Sequence, residues 1–246
     1  MHATRKYKTM SSLYQHGTLA MLMGKQMQGT ASVAELLQHG DTGIGTFEGL
    51  NGEGIILDGK VYQALSNGQV VQVTDQNVLL PFVSVHFDEP TQTLPFSEVD
   101  FGTLSEKLEQ SQLRNIFAAI KFHGTFSHVH TRVVAKQTVP FPSLLDVSKN
   151  QPEFHRDDVA GTLVGYFAPE IFNGPTAAGW HVHFLSDDKK FAGHVLDFSA
   201  TEVAGTLQLF DDFIQHLPIE NADFRDMLLD LDGLSSGIKA SEGRKE

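Results

Sequence analysis

Three residue pairs that favour tight reversals of the chain punctuate its first third: Asn51-Gly52, Asp58-Gly59 and Asn67-Gly68. Such pairs are favoured in two-residue β-hairpin loops, because both central residues of a type I′ turn need a positive φ. The segments between the pairs are apolar and rich in β-branched residues, as strands are. The pattern therefore predicts an antiparallel meander with strands over 44–50, 53–57, 60–65 and 69–73.

A further hairpin is predicted within residues 179–198, where two apolar runs flank the charged turn 186–190. Because successive strand side chains point to opposite faces, His181 and His183 share one face, and the return strand brings His194 beside them. Three imidazoles that converge from strands suit a catalytic zinc ion, which takes three protein ligands and keeps one position open. The alternative is an ordinary pair of polar residues on a solvated strand face.

A second group of histidines competes for the same role. His128 and His130 form another H-x-H pair, and His123 lies just before them. Metal binding by these three residues is an alternative to the hairpin site, although Arg132 on the same face disfavours a cation beside it. An arginine that points inward needs a carboxylate or an anionic substrate as its partner.

The composition excludes several classes of partner and of metal ligand. The net charge of −12 argues against nucleic acid or an anionic membrane surface as the main partner. The chain has no cysteine, which excludes disulfides, iron–sulfur clusters and thiolate zinc sites, so a metal must rest on His, Asp, Glu or water. No stretch approaches the roughly 20 apolar residues that span a bilayer, and the N-terminus lacks a signal-peptide pattern. These features predict a cytoplasmic protein.

The overall pattern predicts an α+β protein with two mixed, mostly antiparallel β-sheet subdomains and a few short helices. The proline-rich stretch 137–152 is the predicted boundary, with one sheet on each side of it. The N-terminal domain, 1–138, would be a mixed β-sheet with packing helices. The C-terminal domain, 139–246, would carry the metal-binding hairpin and a helical tail.

Two capping-box patterns predict helices over 32–39 and 103–121, the second with apolar residues at helical spacing. The methionine-rich segment 9–28 predicts a short, interrupted helix that contributes to the core or to a dimer contact.

Several stretches resemble the alpha-acetolactate decarboxylase family, and they follow one another in the family's order over nearly the whole chain. They are residues 36–47, 50–53, 57–63, 124–126, 131–137, 161–166, Pro169 and the histidine hairpin. The resemblance implies a zinc enzyme that converts (S)-2-acetolactate to (R)-acetoin and carbon dioxide. It also implies a two-domain fold with the metal in the C-terminal half, and commonly a homodimer.

The resemblance assigns the site residues by motif. The implied zinc ligands are His181, His183 and His194. The implied catalytic residues are Glu53, Arg132, Thr46 and, by a weaker correspondence, Glu242. As a strand residue beside a turn, Glu53 is alternatively an ordinary solvent-facing side chain.

The second H-x-H pair and one turn residue depart from the family pattern. His128 and His130 replace residues that are usually not histidine, which suggests a second metal or an altered pocket edge. Asn51 stands where aspartate is commoner, and this change is expected to be harmless.

The implied chemistry uses adjacent ketone and hydroxyl oxygens of acetolactate to chelate one metal, which stabilises the enediolate formed as carbon dioxide leaves. Arg132 would orient the substrate carboxylate, and Glu53 would deliver the proton that sets the product's chirality. Glu242 would assist Glu53 or hold a zinc-bound water, provided that the C-terminal tail folds back over the pocket.

Two other functions remain open from sequence alone. Strand-borne histidine triads also occur in cupin-like metal hydrolases and oxygenases. A non-catalytic small-molecule or metal-binding module with a structural zinc is the other alternative. A structural zinc site is normally closed by four ligands, and the sequence shows no fourth ligand at close spacing.

Overall fold

Strands predominate in the structure, a computed structural model that describes residues 11–108, 113–230 and 233–242. Its strands are β1 (Ser12–His16), β2 (Ala31–Ser32), β3 (Thr42–Thr46), β4 (Glu53–Leu57), β5 (Lys60–Ala64), β6 (Val70–Val73), β7 (Leu79–Leu80), β8 (Phe82–His86), β9 (Gln92–Asp100), β10 (Ala118–Arg132), β11 (Glu153–Ala168), β12 (Gly179–Ser186), β13 (Ala192–Leu209) and β14 (Asp212–His216). Its α-helices are α1 (Leu19–Met23), α2 (Val33–Leu36), α3 (Phe101–Leu108), α4 (Leu144–Ser148), α5 (Ala222–Arg225) and α6 (Leu234–Glu242). The predicted α+β class with few short helices is confirmed.

One sheet has seven strands in the order β14-β1-β8-β3-β4-β5-β6. All of its neighbouring pairs are antiparallel except β1 and β14, which run parallel. The predicted meander supplies β3 to β6 at one side of this sheet.

The other large sheet has five strands in the order β10-β11-β12-β13-β9, and β10 also pairs with β13. Because β10 pairs with both β11 and β13, the ladders of β10 to β13 close on themselves around an apolar core. The largest fully buried side chains of that core are Phe122, Phe126 and Phe184.

The three predicted turns do not share one geometry, although Gly52, Gly59 and Gly68 all have a positive φ. Asp58 also has a positive φ, so Asp58-Gly59 forms the predicted two-residue loop between paired Leu57 and Lys60. The other two loops are longer. A short 3₁₀ turn, Glu48–Leu50, occupies the end of the predicted strand 44–50, so β3 ends at Thr46.

The predicted helix 103–121 is wrong at its C-terminal end. Helix α3 covers Phe101–Leu108, and strand β10 begins at Ala118. Ala118, Ala119 and Ile120 are all at most 3% exposed, because the strand is covered on both faces. A strand buried on both faces reads as a continuous apolar run, which periodicity does not separate from a helix.

The predicted placement of one sheet on each side of residues 137–152 is wrong. Strands β9 and β10 precede that stretch but belong to the five-stranded sheet, and β14 follows it but belongs to the seven-stranded sheet. The division into domains 1–138 and 139–246 stays a prediction.

The segment 9–28 is also corrected, since within its described part β1 precedes the short helix α1. No helix in the described ranges is long and apolar enough to cross a membrane.

Candidate metal centre and active site

The register of two neighbouring strands brings the three hairpin histidines together. His183 on β12 is directly opposite His194 on β13, and His181 lies two residues earlier on β12. One ring nitrogen from each of the three lies within 4.8 Å of the others. The Nε2 atoms of His181 and His183 are 3.2 Å apart. The predicted convergence of these rings is therefore present.

The surroundings keep two of these rings neutral. Burial lowers the pKa of His181 to about 4, and the positive charge of Arg132 adds to the effect. Burial, with a smaller contribution from His181, holds the pKa of His183 well below its usual value. A neutral imidazole has one nitrogen free to bind a metal, whereas a protonated ring has none.

Hydrogen bonds from neighbouring groups select which nitrogen faces the centre. His183 Nδ1 lies 3.0 Å from the carbonyl oxygen of Gly54 and donates to it, which leaves its Nε2 unprotonated. Arg132 Nη2, which can only donate, lies 3.4 Å from His194 Nε2. Metal-binding histidines usually donate their other ring N–H to a carbonyl or a carboxylate, as His183 does to Gly54. The unprotonated Nε2 of His183 and the neutral ring of His181 fit a cation such as zinc.

Glu53 reaches the same centre from the other sheet. It opens strand β4 and is only 8% exposed, so the solvent-facing alternative is wrong. Its Oε1 accepts a hydrogen bond of 3.1 Å from the backbone N–H of Val134. Its Oε2 lies 3.5 Å from His183 Nε2. The sequence showed no fourth ligand at close spacing, yet folding places this carboxylate oxygen beside the histidines.

Arg132 forms another side of the centre. It ends strand β10 directly opposite His194, and only 6% of it is exposed. Its Nη2 donates to the carbonyl oxygen of Ser241 at 2.8 Å. A guanidinium stays charged when it is buried, and its planar donors match a carboxylate, so Arg132 suits a site that receives an anion.

The Ser241 contact shows that helix α6 returns to the site. The helix ends at Glu242, and the tail folds back towards the recess, as a catalytic role for Glu242 requires. The side chain of Glu242 lies outside the described residues, and its catalytic role stays a prediction.

Thr46 has a local structural contact. It pairs with Glu53 across β3 and β4, and its hydroxyl donates to the carbonyl oxygen of Gly52 at 2.8 Å. The residue thus fixes the end of the loop from which Glu53 enters its strand.

Thr46, Glu53, Arg132 and the three hairpin histidines line one recess of about 50 Å³, which is room for a few water molecules. Its remaining lining is apolar apart from glycine: Leu19, Leu22, Gly45, Leu50, Phe82, Val134 and Leu144. The sequence does not indicate this wall as a whole. The one local signal is the apolar pattern of segment 9–28, which supplies Leu19 and Leu22.

The rival set His123, His128 and His130 does not converge. Each of these residues instead contacts a carboxylate: His123 that of Asp187, His128 that of Asp157 and His130 that of Glu153. His130 does belong to a different group, with Glu153 and His155, whose ligand atoms lie within 4.8 Å of one another.

A recess between two β-sheets that brings together three imidazoles, a carboxylate and a guanidinium is typical of an enzyme active site. Comparisons with known proteins identify the family. The family model for alpha-acetolactate decarboxylase matches residues 13–231. The chain belongs to the alpha-acetolactate decarboxylase family of enzymes.

Individual relatives agree with this assignment. The alpha-acetolactate decarboxylase of Lactococcus lactis subsp. cremoris is 37% identical over 237 residues, covering 94% of this chain and 98% of the relative. That of Bacillus licheniformis is 34% identical over 245 residues, covering 97% and 94%. The crystal structure of alpha-acetolactate decarboxylase from Bacillus subtilis strain 168 is 32% identical. It aligns with a TM-score of 0.91 over 95% of this chain and all of that one.

Proposed function

We propose that the chain decarboxylates (S)-2-acetolactate to (R)-acetoin and carbon dioxide with a zinc ion held by His181, His183 and His194. The observation that carries this proposal is the convergence of these imidazoles with Glu53 and Arg132 in one recess. The family relationship supports the substrate.

When bound, the zinc ion would act as a Lewis acid that stabilises negative charge on the substrate oxygens as carbon dioxide leaves. The carbonyl oxygen of Gly54 would help to hold the ion, because it fixes the ring of His183 and determines which ring nitrogen faces the site.

Arg132 binds and orients the substrate carboxylate in this proposal. Its guanidinium is held in place by the Ser241 carbonyl, so little freedom is lost when a carboxylate arrives. It fixes the carboxylate relative to the three histidines. The bond that breaks joins that carboxylate carbon to the carbon bearing the hydroxyl, and its electron pair stays with the larger fragment.

Glu53 supplies the proton to the carbon that has lost carbon dioxide. The Val134 N–H holds Oε1, while Oε2 is directed towards His183 within the recess. A proton donor in a fixed position approaches the planar carbon from one side only, which sets a single product configuration.

The apolar wall acts together with these groups. Leu19, Leu22, Phe82 and Leu144 reduce the water in the recess. Electrostatic stabilisation of developing charge is stronger where water is excluded. Glu242 as an assisting acid, the homodimer and the cytoplasmic location stay predictions.

The direct test is to supply each enantiomer of 2-acetolactate to the purified protein, with and without oxygen. We expect (R)-acetoin and one carbon dioxide from the S enantiomer, at equal rates in both atmospheres. An oxygen requirement with bound iron would favour the oxygenase alternative. Substrate binding without acetoin formation would favour the non-catalytic module.

A further inference from the structure

A second row of titratable side chains lies outside the recess, on the paired strands β10 and β11. Three cross-strand pairs form this row: Arg132 opposite Glu153, His130 opposite His155, and His128 opposite Asp157. The row begins at the recess, because Arg132 lines it. It then runs towards solvent, where Glu153, His155 and Asp157 are exposed.

The middle of the row brings three potential metal ligands close together. The rings of His130 and His155 stack with centroids 4.0 Å apart and planes at 21°. His130 Nε2 lies 2.9 Å from a carboxylate oxygen of Glu153. One ligand atom from each of His130, Glu153 and His155 lies within 4.8 Å of the other two.

The chemistry of these ligands selects the ion. Two imidazoles and one carboxylate suit divalent transition metals such as Zn²⁺, Ni²⁺ and Cu²⁺ and are a poor match for Mg²⁺ or Ca²⁺, which prefer all-oxygen sites. We propose that His130, Glu153 and His155 form a second, solvent-accessible site for a divalent transition metal, separate from the hairpin site. It leaves coordination positions for water.

The local charge is compatible with a bound cation. The carboxylates of Glu153 and Asp157 lie in the row, and Asp197 is opposite His130 on β13. They outnumber the single positive charge of Arg132. At this exposed position, solvent and salt also screen the repulsion between Arg132 and the ion.

The site adjoins a pocket of about 350 Å³. Its lining includes His130, Glu153 and Asp197 together with Arg132, which also lines the inner recess. The second metal would therefore sit beside an opening that shares a residue with the candidate active site.

Counting bound Zn²⁺ tests this proposal. The purified protein is equilibrated with Zn²⁺ by dialysis, and bound metal is measured together with calorimetric titration. We expect two equivalents in the unaltered protein and one in His155→Gln, which alters an exposed side chain and should leave the fold intact. His130→Gln should also lose one equivalent.

Two controls make the count specific. His123→Gln removes an exposed histidine that contacts Asp187 and should retain two equivalents. His183→Gln should lose only the zinc ion of the hairpin site. This variant separates failure of the His130, Glu153 and His155 site from failure of the proposed function. Circular dichroism and melting temperature would establish that each variant is folded.

The proposal is overturned if the unaltered protein binds a single equivalent that His155→Gln retains. It is equally overturned if a second equivalent exists but persists in both His130→Gln and His155→Gln.

Discussion

The two histidine groups of this protein both arise from H-x-H patterns on strands, yet their surroundings differ. In the hairpin group, His183 is 1% exposed and its partner is a backbone carbonyl. In the row on β10 and β11, His130 and His128 contact carboxylates at the surface. The comparison teaches that spacing identifies candidate ligands, whereas burial and the second hydrogen-bond partner decide which chemistry they support.

The largest expected effect is on turnover, and it comes from changing Glu53 in the recess rather than Asp157 beside His128. Glu53→Gln should retain the inner metal but lower turnover by roughly 10²–10⁴-fold, because the proton-transfer group is lost. Steady-state kinetics and metal analysis on the same preparation would measure both. Asp157→Asn, which alters the exposed carboxylate beside His128, is the matched control and should keep normal turnover. Full activity in Glu53→Gln would place the proton donor elsewhere.

The next largest effect is on kcat/KM, and it should distinguish Arg132 from the surface residue Arg156. Arg132→Gln should lower kcat/KM by roughly 10–100-fold, since a charge-assisted contact to the substrate carboxylate is worth about 1.5–3 kcal/mol. Arg156→Gln removes an arginine that pairs with Asp188 at the surface and should change kcat/KM little. Equal losses in the two variants would contradict a specific role for Arg132 in substrate binding.

Acid should destabilise the protein through buried histidines that belong to neither metal group. Burial lowers the pKa of His16 and of His86 to about 4. The unfolded chain therefore binds protons first as pH falls below about 6.5. Stability should be full above pH 6.5 and decline towards pH 4, with each residue contributing roughly 1–2 kcal/mol of loss by pH 5.5.

Chemical denaturation at pH 7.5 and pH 5.5 measures this loss. His86→Phe should flatten the pH dependence, whereas the surface change His123→Gln should leave it as it is. An identical pH slope in all three proteins would show that His86 does not contribute to acid stability.

The smallest effect concerns Thr46. Thr46→Val removes the hydroxyl that donates to Gly52 and should lower the free energy of unfolding by about 1 kcal/mol. The exposed Thr201 makes a longer bond of 3.4 Å to the Thr125 carbonyl, so Thr201→Val should cost less. A much larger loss of turnover than of stability in Thr46→Val would instead indicate direct contact with the substrate.

Local features were predictable from sequence where local chemistry determines them. Asp58-Gly59 formed the expected turn, and Ser32 with Glu35 formed the expected capping box. The alternation of His181 and His183 placed both rings on one side. Each of these features depends only on residues close in sequence.

Features that depend on distant pairing were not predictable in the same way. The parallel pairing of β14 with β1 joins opposite ends of the chain, and no local pattern indicates it. Likewise, the position of Glu53 beside His183 results from packing one sheet against the other. The resemblance supplied Glu53 as a candidate, but its burial and its contacts required the structure.

The central claim is that one cation held by His181, His183 and His194 is required for acetoin formation. Its most direct test is to remove all metal with a chelator and then add Zn²⁺ back while following acetoin production from 2-acetolactate. The account predicts loss of roughly 10³-fold or more in rate, with recovery once the inner site is filled. A rigorously metal-free protein that forms acetoin at the original rate would contradict it.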